Sequence, residues 1–132
     1  MTRRVVAVGP AQWLTEATML MKSEDLDALP VVSDEQVIGI VSDRDIVIRV
    51  IAEGLDPHAV RVDEVASREL VTVRPEQDVD DALQLMDAHE VRQLPVVEEG
   101  RLVGIISRAD IAAAGEAEGA GGSSASALAP NV

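Results

Sequence analysis

Two short motifs carry the residue types best suited to chemistry, Ser42-x-x-Asp45 and Ser107-x-x-Asp110. A carboxylate accepts hydrogen bonds at both oxygens, so it can take both hydroxyls of a vicinal diol such as a ribose. Bonds to a charged group are worth roughly 1.5–3 kcal/mol each. Where a strand passes into a helix, such a motif also offers free backbone N–H groups and a helix N-terminus to a phosphate. The same spacing is equally a capping box, in which the Ser and the acid satisfy the first N–H groups of a helix. The residues alone leave both readings open, and the two roles are compatible.

The elements that hold these motifs come in two copies. Residues 3–46 slide onto 68–111 at a constant offset of 65, and 17 of the 44 aligned pairs are identical. Leu29-Pro30-Val31-Val32 matches Leu94-Pro95-Val96-Val97, Gly39-Ile40 matches Gly104-Ile105, and Val6-x-Val8-x-Pro10-x-Gln12 matches Val71-x-Val73-x-Pro75-x-Gln77. Two copies are too few for a solenoid and suit a pseudo-twofold pair. Each copy predicts a short strand (residues 5–8 and 70–73) stopped by Pro10 or Pro75. An amphipathic helix follows, with stripes Leu14, Ala17, Thr18, Met21 and Val79, Ala82, Leu83, Met86. Asp78 is its N-cap in the second copy, with Asp80 and Asp81 in the first turn. Two hairpins are expected, residues 31–33 with 37–42 and 96–97 with 102–107, the turns being 33–36 and 98–101. A second helix starts at Ser42 or Ser107, and Gly54 is placed to end the first of these. The linker at 55–61 contains Pro57, and a short helical turn is expected at 63–66. Strand, helix, strand, strand, helix makes each copy an α/β (α+β) unit.

Cations for a phosphate are few. Arg44 and Arg108 lie inside the two motifs, and His89 and Arg92 precede Leu94-Pro95, where the first copy has Glu24 and Asp27. The two copies should therefore differ, with the basic groups gathered around one of them. Each Arg also reads as an ordinary solvated or ion-paired surface group, and His89 as a helix C-terminal residue complementing the dipole. Thr72 could hydrogen-bond a ligand, whereas its counterpart Ala7 cannot. Met19, Met21 and Met86 read as core or interface filler.

Composition excludes several classes. There is no Cys among the 132 residues, which removes disulfides, thiolate metal sites and cysteine nucleophiles. Trp13 is the sole aromatic, so a base could not be stacked and would need a slot between aliphatic side chains. A net charge of −13 repels phosphate backbones and argues against nucleic acid as a partner. No apolar run reaches the roughly 18 residues of a membrane span. Arg3 and Arg4 precede no leader-like apolar region, and a cytoplasmic location is expected. His58 and His89 are far apart, and no metal site is expected. No phosphate loop, nucleophile elbow or triad is present, and Glu76, Asp78, Asp80 and Asp81 sit at a helix start, where acids belong. The chain does not read as an enzyme, and no cofactor is required.

The ordered motifs V-x-V-x-P, L-P-V-V and G-I-[VI]-S-x-x-D-I resemble the CBS domain, present here twice, as in a tandem CBS pair or Bateman module. The stretch 43–57 is similar to short stand-alone bacterial CBS proteins of the hypoxic response protein 1 type. The family turn D-[IV]-M survives in the second copy as Asp63-Glu64-Val65-Ala66, while Met1 aligns with Ala66 and the first copy has no such turn. On this resemblance the chain divides into repeat 1 (residues 1–56), repeat 2 (57–114) and a disordered tail (115–132), the repeats packing with pseudo-twofold symmetry. The resemblance implies a regulatory module binding an adenosine-type ligand (AMP, ADP, ATP or another adenosyl compound) in clefts between the repeats. Asp45 and Asp110 would hold the ribose, with Ser42 and Ser107 beside the ribose or phosphate. Arg92 lies where some nucleotide-binding members of the family place basic phosphate contacts, with Arg44 and Arg108 as the candidate cations inside the motifs, and Thr72 and the strands at 29–31 and 94–96 would line the base. A homodimer is implied as well, with an unidentified downstream protein partner. The alternative is a homodimeric scaffold with degenerate, ligand-free clefts.

Overall fold

In the computed structural model, which describes residues 6–112, the backbone builds two hairpins of matching length and register. The chain divides into two compact units, Val6–Leu70 and a second beginning at Val71.

In the first unit, helix α1 (Leu14–Glu24) leads to strands β1 (Ala28–Ser33) and β2 (Gln36–Ser42). Helix α2 follows (Asp43–Ile46) and widens into a π-helical turn (Val47–Ile51), where Ala52 N–H reaches back five residues to Val47 O at 2.8 Å. Gly54, at φ 74°, ends it as the sequence suggests. The second unit repeats this order with α3 (Val79–His89), β3 (Gln93–Glu98) and β4 (Arg101–Ser107), and residues 108–112 are again helical.

The helix stripes bury as their spacing requires. Leu14, Ala17 and Met21 enter one core, and Val79, Ala82 and Met86 the other. Asp78 caps α3, accepting the Asp81 N–H at 3.0 Å. Trp13 cannot cap α1 in that way, and there Glu16 accepts the Trp13 N–H at 3.2 Å instead. Both hairpins turn through two residues at positive φ, Asp34 and Glu35 in one and Glu99 and Gly100 in the other, matching the twist of the flanking strands.

The opening strands expected at 5–8 and 70–73 are corrected. Each shrinks to a single parallel bridge, Val8 with Val31 and Val73 with Val96. Val8 N–H donates to Pro30 O at 3.0 Å and Val32 N–H to Val8 O at 2.8 Å. The next rung on either side would need an N–H from Pro30 or from Pro10, and proline has none. Pro95 and Pro75 truncate the second bridge in the same way. The strands β1 and β3, by contrast, start three residues earlier than expected, because Leu29 and Leu94 are buried and Pro30 and Pro95 stand opposite Ile40 and Ile105 with their carbonyls turned away to accept from Val8 and Val73, so the missing N–H costs the hairpin ladder nothing.

Every buried core residue of the second unit has a buried counterpart 65 positions earlier, from Val8 and Val73 to Val41 and Ile106. The first core contains more: Val50, and then Val60, Val62 and Val65 from the segment after α2. Leu14 N–H donates to Val60 O at 2.8 Å, Val62 N–H to Gln12 O at 2.9 Å, and Ile40 and Ser67 exchange both backbone bonds. Arg61 lies 4.0 Å over the Trp13 ring and donates to Ala11 O. The boundary between repeats is expected at residue 57, whereas packing changes at Val71. The helical turn expected at 63–66 is present as a 3₁₀ turn, Val62–Glu64. Residues 1–5 and the tail at 115–132 lie outside the described residues. Among the described residues no helix is long and apolar enough to cross a membrane.

Candidate functional site

Each Ser-x-x-Asp motif stands where a strand becomes a helix, β2 to α2 and β4 to 108–112. In the first copy the motif is closed on itself. Ser42 Oγ accepts the Asp45 N–H at 3.1 Å, and Asp45 Oδ2 accepts from both Ser42 Oγ (2.9 Å) and Ser42 N–H (3.1 Å). Arg49, one helical turn on, brings Nε to 3.8 Å from Asp45 Oδ1 and donates Nη1 to Val65 O at 3.2 Å. The Asp45 side chain is 18% exposed, so both of its oxygens are taken up in a partly buried setting. Arg44 is exposed and makes no side-chain hydrogen bond or ion pair among the described residues.

The second copy keeps half of this arrangement. Ser107 Oγ accepts the Asp110 N–H at 3.0 Å, but the exposed Asp110 carboxylate has no partner among the described residues. Position 114, where an Arg would match Arg49, is Ala in the sequence. Arg108 pairs through Nη2 with Oδ1 of Asp87, in the last turn of α3. Its backbone N–H donates to Arg92 O at 2.9 Å, joining the two arginine-bearing positions. The equivalent bond in the first copy, Asp43 N–H to Asp27 O at 2.9 Å, joins two acids.

The same scaffold position is thus acidic in one repeat and basic in the other. Glu24, Asp27 and Asp43 align with His89, Arg92 and Arg108. Lys22, Arg44 and Arg49 accompany the acids of the first turn, and Asp87 and Asp110 accompany the bases of the second. Arg44 and Arg108, both read from the sequence as motif cations, are not equivalent: Arg108 aligns with Asp43, and Arg44 aligns with Ala109.

Thr72 is half-buried beside the Val73–Val96 bridge, between Val71 and Val73, which pack into the core. Its hydroxyl has no hydrogen-bond partner among the described residues. Leu29, Pro30 and Val31, like Leu94, Pro95 and Val96, are buried. The structure therefore groups Arg92, Ser107, Arg108 and Asp110 around one turn and Ser42, Arg44 and Asp45 around the other. Arg49 and Asp87 escaped the sequence reading. An i, i+4 spacing from Asp45 could have flagged Arg49. Asp87 meets Arg108 across 21 residues, a pairing that no local pattern announces. Among the described residues no three His, Cys, Asp or Glu side chains come together to hold a metal ion.

Comparison with known proteins agrees with the repeat. The family model for the CBS domain matches residues 1–52 and 62–116. The CBS domain-containing protein YhcV of Bacillus subtilis is 43% identical over 112 residues, spanning 85% of this chain and 79% of that protein. Hypoxic response protein 1 of Mycobacterium tuberculosis is 40% identical over 113 residues, with the same shares covered. A crystal structure of hypoxic response protein I with two coordinated zinc ions superposes with a TM-score of 0.76 at 39% identity. It covers 86% of this chain and 92% of its own.

Proposed function

The chain belongs to the CBS domain family as a tandem pair, and from that footing we propose that it is a non-enzymatic regulatory module binding an adenosine-type ligand of the AMP, ADP or ATP kind. The observation that carries this reading is the second Ser-x-x-Asp turn. It holds an exposed carboxylate, Asp110, with no internal partner among the described residues, on the same turn as Arg108 and linked to Arg92. Such a carboxylate suits a ribose diol, and guanidinium groups suit phosphate oxygens. Thr72, half-buried with a hydroxyl unengaged among the described residues, is an added polar contact for the ligand. In the first repeat Ser42 and Asp45 chiefly cap α2, and the acids around them disfavour a phosphate.

Occupancy of the site would shift the module between conformations or change its affinity for a downstream protein. Melting curves with AMP, ADP, ATP, NAD and S-adenosylmethionine test the proposal. A rise in melting temperature with at least one of them, lost in Asp110→Ala, is expected. No shift with any of the five overturns it.

A homodimer belongs to the same reading. Val47, Ile48, Ile51 and Leu55 are exposed along the π-helical turn and its exit, an apolar stripe that a second copy would cover. The closed Ser42–Asp45 cap favours a second reading, a homodimeric scaffold whose turns only cap helices. That reading predicts no ligand response from either turn.

A further inference from the structure

We infer that Asp87 is a built-in competitor for the anionic ligand of the second turn, holding Arg108 until a phosphate displaces it. The inference rests on the nucleotide reading above and names what sets that site's affinity and its preference for charge.

Three observations carry it. First, the Asp87–Arg108 contact is a charge-assisted bond to the one cation that lies inside the second motif. Second, both partners are well exposed, the side chains at 74% and 44%, so the pair is weakly held and open to exchange with a solute anion. Third, the position of Asp87 in its helix does not favour an acid. It lies in the last turn of α3, where the helix dipole favours a base, and the aligned residue in α1 is Lys22. The inversion is paired: Lys22 and Asp43 in the first repeat correspond to Asp87 and Arg108 in the second. Among the described residues Lys22 and Asp43 form no ion pair, so this pairing is not a requirement of the scaffold.

A phosphate is a stronger claimant than a single carboxylate. It carries more charge and more acceptor oxygens, and the Arg108 backbone is bonded to that of Arg92, which brings a second guanidinium-bearing residue to the turn. Asp87 then acts as a selectivity filter. Uncharged nucleosides gain nothing from displacing it, whereas nucleotides do.

Calorimetric titrations of the full chain with AMP and with adenosine test this in wild type, Asp87→Asn, Arg108→Gln and the double variant. Asp87→Asn is expected to tighten AMP binding by about two- to fivefold, the span of a surface ion pair, and to leave adenosine unchanged. Arg108→Gln is expected to weaken AMP, and adding Asp87→Asn to it to have no further effect. An unchanged or weakened AMP affinity in Asp87→Asn overturns the inference, as does equal tightening for adenosine. Wild-type binding of AMP with no response to Asp87→Asn sinks this inference alone. Absence of binding by every ligand in every variant sinks the nucleotide reading and this inference with it.

Discussion

Ser42 and Ser107 occupy the same place in the two repeats, yet they do different amounts of structural work. Ser42 closes a reciprocal box with Asp45, whereas Ser107 accepts one N–H and leaves the Asp110 carboxylate outward. Ser42→Ala is therefore expected to cost about 1 kcal/mol of stability, and Ser107→Ala distinctly less, as read by denaturant unfolding. Equal costs would contradict the asymmetry. The Arg49–Asp45 contact adds little, since Arg49 is half exposed and the separation is 3.8 Å. At this scale the motifs themselves were legible in the sequence, because type and spacing suffice for Ser-x-x-Asp. What was not legible is which carboxylate is engaged. That depends on Arg49 reaching both Asp45 and the Val65 carbonyl, and on Asp87 reaching Arg108. The second of these contacts requires the helix and the turn to be placed in space first.

Among the elements, the hairpins and helices follow from period and caps, while the opening strands do not survive their prolines. Alternating valines before Pro10 and Pro75 read as strands, but the missing N–H groups of Pro10, Pro30, Pro75 and Pro95 leave one rung each. Gly39 is the tightest point of β2. A Cβ there would stand 2.8 Å from the Ser67 carbonyl oxygen, a backbone atom held by the Ile40–Ser67 pairing. Gly39→Ala is expected to destabilise by about 1–3 kcal/mol in thermal or denaturant melts, and a neutral effect would contradict this packing. In the linker, Asp56 accepts the His58 backbone N–H at 2.9 Å and also meets its ring. These bonds hold its carboxyl below the usual carboxylate range. Because the folded state lowers this value, the contribution is present above the unfolded value and is lost as pH falls through the folded one. An NMR titration of Asp56 should show a midpoint below that of an unstructured aspartate, and an ordinary midpoint would refute the contact.

Taken whole, the molecule uses one unit twice and then breaks its own symmetry by charge. The repeat and the two cores were readable from the sequence, as the matching of Leu14 with Val79 and Met21 with Met86 shows, because buried positions tolerate few residue types. The packing boundary was not, since Val60, Val62 and Val65 belong by sequence to the second repeat and by burial to the first core. Val62, fully buried, should accordingly matter to the first unit: Val62→Ala is expected to lose roughly 2 kcal/mol, from two methyl groups plus a small cavity. A loss near zero in urea unfolding would show that the segment is not part of that core. The change from Glu24, Asp27 and Asp43 to His89, Arg92 and Arg108 makes the turns of the two repeats unlike, and the proposed function depends on it. Its most direct test is calorimetric titration of AMP into the full chain and into Asp45→Ala and Asp110→Ala. Saturable binding that persists in Asp45→Ala and disappears in Asp110→Ala is predicted; binding lost only in Asp45→Ala, or no binding to the wild-type chain, would contradict it.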